Sequence, residues 1–214
     1  KSAGIPVTAA LTVTDVDSVN LAGAIVQITG NYLPGQDVLD LTAIGAIAGS
    51  FSPSSGTLTL AGSDTVGKYQ AALRSVKYRN TSNNPSVLQR LVSFQMVDGA
   101  GANHLSDFAT RSIAVTAVND APAANAQSVT TDEDAPKNIT LTGSDVEGSP
   151  LIFTLVSNPA HGSVVLNANG SFAYVPTLNF NGIDSFTYKA NDGKLDSSVT
   201  TVTINVTAVN DAPT

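Results

Sequence analysis

Short acidic clusters recur along this sequence, most of them at turn signals. Carboxylate and amide oxygens are the ligands that Ca²⁺ takes, six to eight at a time, so such clusters are candidate cation sites. Asp and Glu residues are also ordinary turn formers, and any one cluster taken alone favours a simple turn. The acidic residues in question lie at Asp15-Val-Asp17, Asp98-Gly99, Asn119-Asp120, Glu133, Asp145-Val-Glu147, Asp184, Asp192-Gly193 and Asn210-Asp211.

The charge balance limits the partners of this chain. There are 17 Asp and Glu against 10 Lys and Arg, which gives a formal net charge of −7. This balance argues against nucleic acid and against an anionic membrane surface. No apolar run approaches the roughly 20 residues of a membrane helix, so no membrane insertion is expected.

A seven-residue stretch occurs twice and divides the chain. Thr116–Pro122 and Thr207–Pro213 are identical, and the second begins 91 residues after the first. An alternating apolar segment precedes each copy, typical of a strand with one buried face, and the proline ends the strand. The repeat predicts two domains, residues 1–119 and 120–214, the second ending in an Asn-Asp-Ala-Pro linker.

Residues 120–214 divide into seven short alternating strands with turn signals between them, the strand count of an immunoglobulin-like sandwich. Asn167–Gly170 predicts a hairpin turn. Residues 1–119 follow the same plan, since Leu11–Asp17 parallels Leu141–Glu147, but nothing ahead of Lys1 supplies the first strand. The predicted fold class is all-β, with two tandem immunoglobulin/cadherin-like antiparallel β-sandwiches, the first truncated at its N-terminal strand.

One helical pattern interrupts the strands. Val66, Tyr69, Leu73 and Val76 lie at helical spacing and predict one short turn of helix within residues 63–75.

The chain resembles two families of repeats from large bacterial surface proteins. The first domain is similar to the chondroitin-sulfate-proteoglycan-type, cadherin-like repeat, in segments that include Leu11–Ser18, Gly35–Leu39 and Tyr69–Val76. The second is similar to the tandem cadherin-like repeats of RTX-type adhesins, in segments that include Asn169–Tyr174 and Asn179–Phe186. The resemblance implies extracellular arrays on the bacterial cell surface that act in cell adhesion, span distance and bind calcium where neighbouring repeats of the same protein meet.

The sandwich plan groups the acidic residues at the ends of the domains. A sandwich of seven strands places its B–C and F–G loops at the end where the chain enters. This predicts an interdomain calcium site formed by Asn119, Asp120, Asp145, Glu147 and Asp192. A C-terminal half-site is predicted at the opposite end, from Glu133, Asp184, Asn210 and Asp211. An N-terminal half-site is predicted at the entry end of the first domain, from Asp15, Asp17 and Asp98.

Enzymatic chemistry finds little support in the sequence. There is no Cys, and the two histidines, His104 and His161, are too few for a zinc site. No Gly-x-Ser-x-Gly elbow occurs, and no helix follows one. We therefore expect no enzymatic activity.

Three functions remain open. In the first, calcium stiffens an extender region of an adhesin. In the second, the chain binds polysaccharide, with Tyr32, Tyr69 and Tyr78 as candidate platforms, although aromatic residues make up only 6% of the chain and Trp is absent. In the third, another copy of the adhesin supplies the missing first strand by strand addition.

Overall fold

The computed structural model describes residues 4–98, 105–167 and 169–211. The chain forms two compact units, unit 1 (Lys1–Ala117) and unit 2 (Val118–Thr214), so the division falls two residues before the predicted boundary. The regular secondary structure of both units is almost entirely β-strand, as the predicted fold class requires. Within the described ranges, no helix is long and apolar enough to cross a membrane.

Unit 1 is a sandwich of a five-stranded and a three-stranded sheet. Its strands are β1 (Ile5–Pro6), β2 (Asn20–Gly30), β3 (Asp37–Asp40), β4 (Ala48–Ser52), β5 (Thr57–Thr65), β6 (Lys77–Asn80), β7 (Arg90–Asp98) and β8 (Ala109–Ile113). The larger sheet has the order β4-β5-β2-β7-β8 and the smaller one β1-β6-β3. Alternation along the strands sends Val26 and Phe94 of the larger sheet and Leu39 and Tyr78 of the smaller one into a common core.

A single helix, α1 (Val66–Ser75), follows β5. The Thr65 side chain caps it by accepting a hydrogen bond from the Lys68 backbone N–H, which satisfies one of the first-turn donors. Tyr69 and Leu73 point into the core at the predicted helical spacing. The helix has ten residues and is therefore longer than the single turn predicted from the sequence.

Unit 2 shows the seven-stranded plan, with its first two strands each divided in two. Its strands are β9 (Ala123–Ala124), β10 (Gln127–Asp132), β11 (Lys137–Thr140), β12 (Gly143–Ser144), β13 (Ile152–Ser157), β14 (Gly162–Leu166), β15 (Ser171–Pro176), β16 (Gly182–Asn191) and β17 (Thr200–Thr207). β9 pairs with β12, and β10 then crosses to pair in parallel with β17. The resulting sheets have the orders β10-β17-β16-β13 and β11-β15-β14.

Aromatic residues fill the core of unit 2. Phe172 and Phe186 meet edge to face with ring centroids 4.9 Å apart, a geometry that the ring quadrupoles favour. Tyr174 and Tyr188 are completely buried between the sheets. The predicted hairpin turn joins β14 to β15, with Gly170 at a positive φ of 85°. Ala168 within this turn lies outside the described residues.

Candidate cation site at the entry end of unit 2

Three segments of unit 2 bring the predicted entry-end residues together. Asp145 and Glu147 lie in the turn that follows β12, and Asp192 follows β16 directly. The turn is closed by the Asp145 carboxylate, whose Oδ1 accepts the Ser149 N–H at 2.9 Å. Asn119 and Asp120 lie in the segment that leads into β9. These residues therefore lie in loops, and the packing of the strands brings the loops together at one end of unit 2.

Two hydrogen bonds tie the entering segment to the loops. The Asn119 side-chain amide donates to Asp192 Oδ2 at 2.6 Å. The Asp120 backbone N–H donates to Glu147 Oε2 at 3.3 Å. The five residues predicted as one site therefore lie at one end of unit 2 in two contacting pairs, with Asp145 beside them in the same turn as Glu147.

Two carboxylate oxygens in this turn are buried without a hydrogen-bond partner. They are Asp145 Oδ2 and Glu147 Oε1, and neither has a donor among the described residues. A buried charged acceptor that lacks a partner costs about 1–3 kcal/mol or more. A bound cation would remove that cost, and a hard cation takes this type of oxygen. The chemistry of these oxygens therefore suits Ca²⁺, although no three acidic side chains in the described part of this end have ligand oxygens within 4.8 Å of one another.

Asp192 is held in its ionised form. Its Oδ1 accepts the backbone N–H groups of Lys194 and Leu195, each at 2.7 Å. The Leu195 N–H and the Asn119 amide stabilise the negative charge and lower the pKa of Asp192 below its usual value. The side chain can therefore present a charged oxygen to a cation at neutral pH.

The entry end of unit 1 carries a tighter acidic group. Asp15, Asp17 and Asp98 have ligand oxygens that all lie within 4.8 Å of one another, the one such group of three acidic side chains in the described ranges. The N–H groups of Ser18 and Asp17 lower the pKa of Asp15. The side chain of Asp15 raises the pKa of Asp17, first by a hydrogen bond and then by its charge, and the charge of Asp98 adds to this. The group therefore holds crowded like charges that a cation would neutralise.

The exit end of unit 2 uses its acidic residues differently. Asp184 is 4% exposed. Its Oδ1 accepts the N–H groups of Ala160 and Ser185, and its Oδ2 accepts the His161 N–H and the Tyr174 hydroxyl. All four lone pairs of this carboxylate are occupied, which leaves none for the cation predicted here.

The other residues of the predicted C-terminal half-site are spread along the same end. Glu133 is buried, and its Oε1 accepts the Val209 N–H at 2.6 Å while its Oε2 accepts the Asn181 amide at 3.4 Å. The Asn210 amide donates to the carbonyl oxygen of its neighbour Asp211. Glu133 therefore fastens the exit segment to the turn after β10.

Unit 1 contains a buried ion pair that the sequence did not predict. Asp37 and Arg90 are both fully buried, and Arg90 Nε donates to Asp37 Oδ2 at 2.8 Å. Tyr78 and Asn80 donate to Asp37 Oδ1 at 2.6 and 2.7 Å. Burial alone would raise the pKa of Asp37, but the hydrogen bonds from Arg90 and Tyr78 reverse this effect and lower it. Asp37 lies in Gly35–Leu39, one of the segments that carry the family resemblance. No local sequence pattern predicts that Asp37 pairs with Arg90.

Two of the three tyrosines considered as carbohydrate platforms are core residues. Tyr69 is 0% and Tyr78 is 4% exposed. Burial raises the pKa of Tyr78 to about 12, and the hydrogen bond to the Asp37 carboxylate adds to this effect. Tyr32 is half-buried, and its hydroxyl donates to the Pro53 carbonyl oxygen. None of these three rings is a fully exposed platform.

The strand order of unit 2 and its loop-borne oxygens define an immunoglobulin/cadherin-like repeat. In agreement, residues 119–205 match the family described as the bacterial Ig domain. The match falls within unit 2 and covers less than half of the chain. For unit 2 the resemblance is thus confirmed at the level of an Ig-like repeat, while the tandem arrangement and the chondroitin-sulfate-proteoglycan and RTX subtypes stay predictions.

Several known proteins are similar to parts of the chain. Integrin beta-like protein A of Dictyostelium discoideum is 35% identical over 44% of this chain and 6% of its own length. An endo-fucoidan hydrolase from glycoside hydrolase family 107 aligns with 82% of this chain and 24% of its own chain, at 21% identity and a TM-score of 0.37. The extracellular cadherin domains of protocadherin gamma B2 align with 82% of this chain and 33% of theirs, at 16% identity and a TM-score of 0.45. The chain therefore spans a third or less of each of these proteins.

Proposed function

We propose that this chain is a calcium-stiffened, non-catalytic repeat region of a large bacterial surface or secreted adhesin, where it extends the molecule and serves cell adhesion. The observation that carries the proposal is the pair of buried, unpartnered oxygens, Asp145 Oδ2 and Glu147 Oε1, beside the segment that enters unit 2. The match of residues 119–205 to the bacterial Ig domain supports the repeat character and an extracellular location.

Calcium binding would act on the entering segment. Asp145, Glu147 and Asp192 bring three carboxylates to one end of unit 2, where the Asn119 amide and the Asp120 backbone N–H contact two of them. A Ca²⁺ ion shared by the turn after β12, the loop after β16 and the entering segment would hold that segment in one conformation. Without the ion the carboxylates repel one another, and the hydrogen bonds from Asn119 and Asp120 hold the segment against this repulsion. Calcium would thereby convert a hinged connection into a stiff one.

We propose the same role for the acidic group of unit 1. Asp15, Asp17 and Asp98 have converging ligand oxygens. The hydrogen bond and the charge of Asp15 raise the pKa of Asp17. This group stands at the end of unit 1 that corresponds to the candidate site of unit 2.

Thermal unfolding in millimolar calcium and in excess chelator tests the proposal. Ligand at a hundred times its dissociation constant stabilises the folded state by about 2.7 kcal/mol, which corresponds to a rise of about 10 °C or more for a unit of this size. We expect calcium to produce such a rise in the unfolding transition of unit 2, and Asp145→Asn to remove most of it, because the amide keeps the shape but loses the charge.

Asp134→Asn is the matched control. Asp134 is an exposed acid at the exit end, where its Oδ1 accepts the Asn179 N–H. The control variant should keep the full calcium response. If the Asp145→Asn protein responded to calcium as the unaltered chain does, the turn that holds Asp145 would not be part of a calcium site.

A further inference from the structure

Four Asn-x-Ser/Thr triplets, in which the middle residue is not Pro, occur in the chain. They begin at Asn80, Asn138, Asn169 and Asn205. In a secreted protein such a triplet is a candidate acceptor for a sugar on the asparagine amide when it stands in a surface loop. A strand protein rich in Thr and Ser also forms such triplets by chance, so the surroundings of each triplet in the fold decide between them.

Two of the triplets are engaged in contacts of the fold. The Asn80 amide is occupied at both ends, because its Nδ2 donates to Asp37 Oδ1 at 2.7 Å and its Oδ1 accepts the Ser82 N–H at 2.8 Å. Asn205 lies on β17, which is paired on both sides. The hydroxyl of this triplet, on Thr207, donates to a neighbouring carboxylate at 2.5 Å. Neither triplet can enter the site of an enzyme without breaking these contacts.

The Asn138 triplet is exposed but fixed in a strand. Asn138 lies in β11 and pairs with Ala173 of β15, and the hydroxyl residue Thr140 pairs with Ser171. Among the described contacts, no hydrogen bond joins the side chains of Asn138 and Thr140. Both ends of this triplet are therefore held in a β-ladder, and its hydroxyl does not act on its amide.

The Asn169 triplet stands at the surface, in the hairpin turn between β14 and β15. Asn169 Oδ1 accepts two hydrogen bonds from Ser171, one from the backbone N–H at 3.1 Å and one from the hydroxyl at 2.8 Å. The Ser171 hydroxyl in turn accepts the side-chain amide of Asn167 at 3.0 Å. The described residues offer no acceptor to Asn169 Nδ2, so the amide nitrogen is the free end of this group.

The middle residue of this triplet has to be glycine. Gly170 has a positive φ of 85°, and a Cβ added there would lie 2.9 Å from a ring carbon of Phe153. The turn therefore holds Asn169 and Ser171 close together with no side chain between them. Because Asn169 is exposed, its amide nitrogen is reachable without unfolding of the hairpin.

We propose that Asn169 is the acceptor of an N-linked sugar, transferred from a donor in which C1 of the sugar is joined to a diphosphate. The Nδ2–C1 bond forms as the bond from C1 to the diphosphate oxygen breaks. The diphosphate leaves with the bonding electrons, and one Nδ2 proton passes to a base of the transferase. The two hydrogen bonds from Ser171 stabilise negative charge on Oδ1, which makes the loss of that proton easier.

The sugar would cover the tip of the hairpin with a bulky hydrophilic group. The proposal rests on the extracellular location proposed above and is independent of calcium binding at either unit. It differs from the other candidate triplets in one physical respect, since Asn169 alone among the four joins an exposed turn to a hydroxyl that contacts its own amide.

Mass spectrometry of the folded chain, after incubation with uridine diphosphate glucose and a purified soluble asparagine glycosyltransferase, tests the proposal. We expect the mass gain of one hexose, and fragmentation should locate it on Asn169. Asn169→Gln should abolish the gain. Ser171→Ala should also abolish it, whereas Ser171→Thr keeps the hydroxyl and should retain it. Asn205→Gln is the matched control and should leave the gain unchanged.

Two short peptides, with the sequences of residues 165–175 and 201–211, separate the effect of the fold from that of the triplet. Both peptides should accept the sugar, because neither is held in a sheet, whereas the folded chain should accept it at Asn169 and not at Asn205. The proposal is overturned if the folded chain accepts no sugar, or accepts it first at another of the four triplets. It is also overturned if the Ser171→Ala chain is modified as fast as the unaltered chain. These outcomes leave the calcium proposal standing, because the calcium response is measured without transferase or sugar.

Discussion

Buried carboxylates in this chain fall into two kinds, which differ in how many of their oxygens have partners. Asp37 accepts hydrogen bonds from Arg90, Tyr78, Asn80 and the Leu33 N–H, and Asp184 accepts four bonds as well. Asp145 and Glu147 each keep one buried oxygen without a donor. Burying a charge is costly unless it is paired, so a fully bonded carboxylate stabilises the fold and an incompletely bonded one is suited to an added cation. The number of bonded oxygens therefore distinguishes Asp37 and Asp184 from Asp145 and Glu147, although their sequence contexts are similar.

The stability of unit 2 should depend on pH through Asp184. Burial would raise the pKa of Asp184, but the Ser185 N–H and the Tyr174 hydroxyl reverse the effect and hold it below its usual value. The stabilisation is therefore complete above the unfolded pKa of about 3.9 and is lost as the pH falls through the lower folded pKa. We expect Asp184→Asn to cost about 1–3 kcal/mol at neutral pH, because buried donors lose their acceptor.

Unfolding by urea between pH 7 and pH 3 checks this expectation. The unaltered chain should lose stability in unit 2 below about pH 4, and Asp184→Asn should show a flatter profile over the same range. Parallel profiles for the two proteins would mean that another acid group controls the acid response.

At the scale of elements, one ion pair joins the two sheets of unit 1. Asp37 begins β3 and Tyr78 lies in β6, both in the three-stranded sheet, whereas Arg90 begins β7 in the five-stranded sheet. The Arg90 side chain also donates to the carbonyl oxygens of Ser86 and Leu88, which fixes the segment that leads into β7. The Asp37–Arg90 pair thus connects three strands and the segment that leads into β7.

Removing Arg90 should therefore be costly. Arg90→Met would leave the buried Asp37 carboxylate without its cation, and the loss of one partner of a buried pair costs about 3–5 kcal/mol. Arg79→Met is the matched control, because Arg79 donates to Asp40 at 2.7 Å but both side chains are at least 40% exposed. An exposed pair of this kind contributes about 1 kcal/mol or less. Chemical unfolding compares the two variants, and equal losses would contradict the structural role given to the buried pair.

Local patterns in the sequence predicted the elements better than the contacts between them. Period-two alternation located β16 and β17, and the turn residues Asn167–Gly170 located the β14–β15 hairpin. The Asp37–Arg90 pair joins positions 53 residues apart, and no periodicity encodes such a contact. For the same reason Asp184 was assigned to a cation site, since its donors from Ala160 and Tyr174 come from other strands and loops. The acid residues of the candidate site stand at turns, which the sequence marks, and their binding of a cation stays a prediction.

At the scale of the whole molecule, the chain consists of two β-sandwich units that are stabilised by different features. Unit 1 has a larger sheet, a helix and a buried ion pair. Unit 2 has a parallel pair of strands, β10 and β17, and an aromatic core. Each unit has its own cluster of buried apolar side chains, the one around Val26 and Phe94 and the other around Phe186 and Tyr188. Separate cores of this kind are the condition for separate cooperative unfolding.

Calorimetry of the whole chain should therefore resolve two unfolding transitions, each marked by its own variant. Arg90→Met acts on the unit 1 core and should lower one melting temperature, whereas Asp184→Asn acts on unit 2 and should lower the other. At a cost of about 1 kcal/mol the shift is about 4–8 °C for a unit of this size, which is large enough to assign each transition. The Asp184→Asn transition should then be the one that falls when chelator removes calcium from the Asp145–Glu147 turn. If both variants instead moved a single common transition, the two units would form one cooperative structure, and calcium at either entry end would stabilise the whole chain.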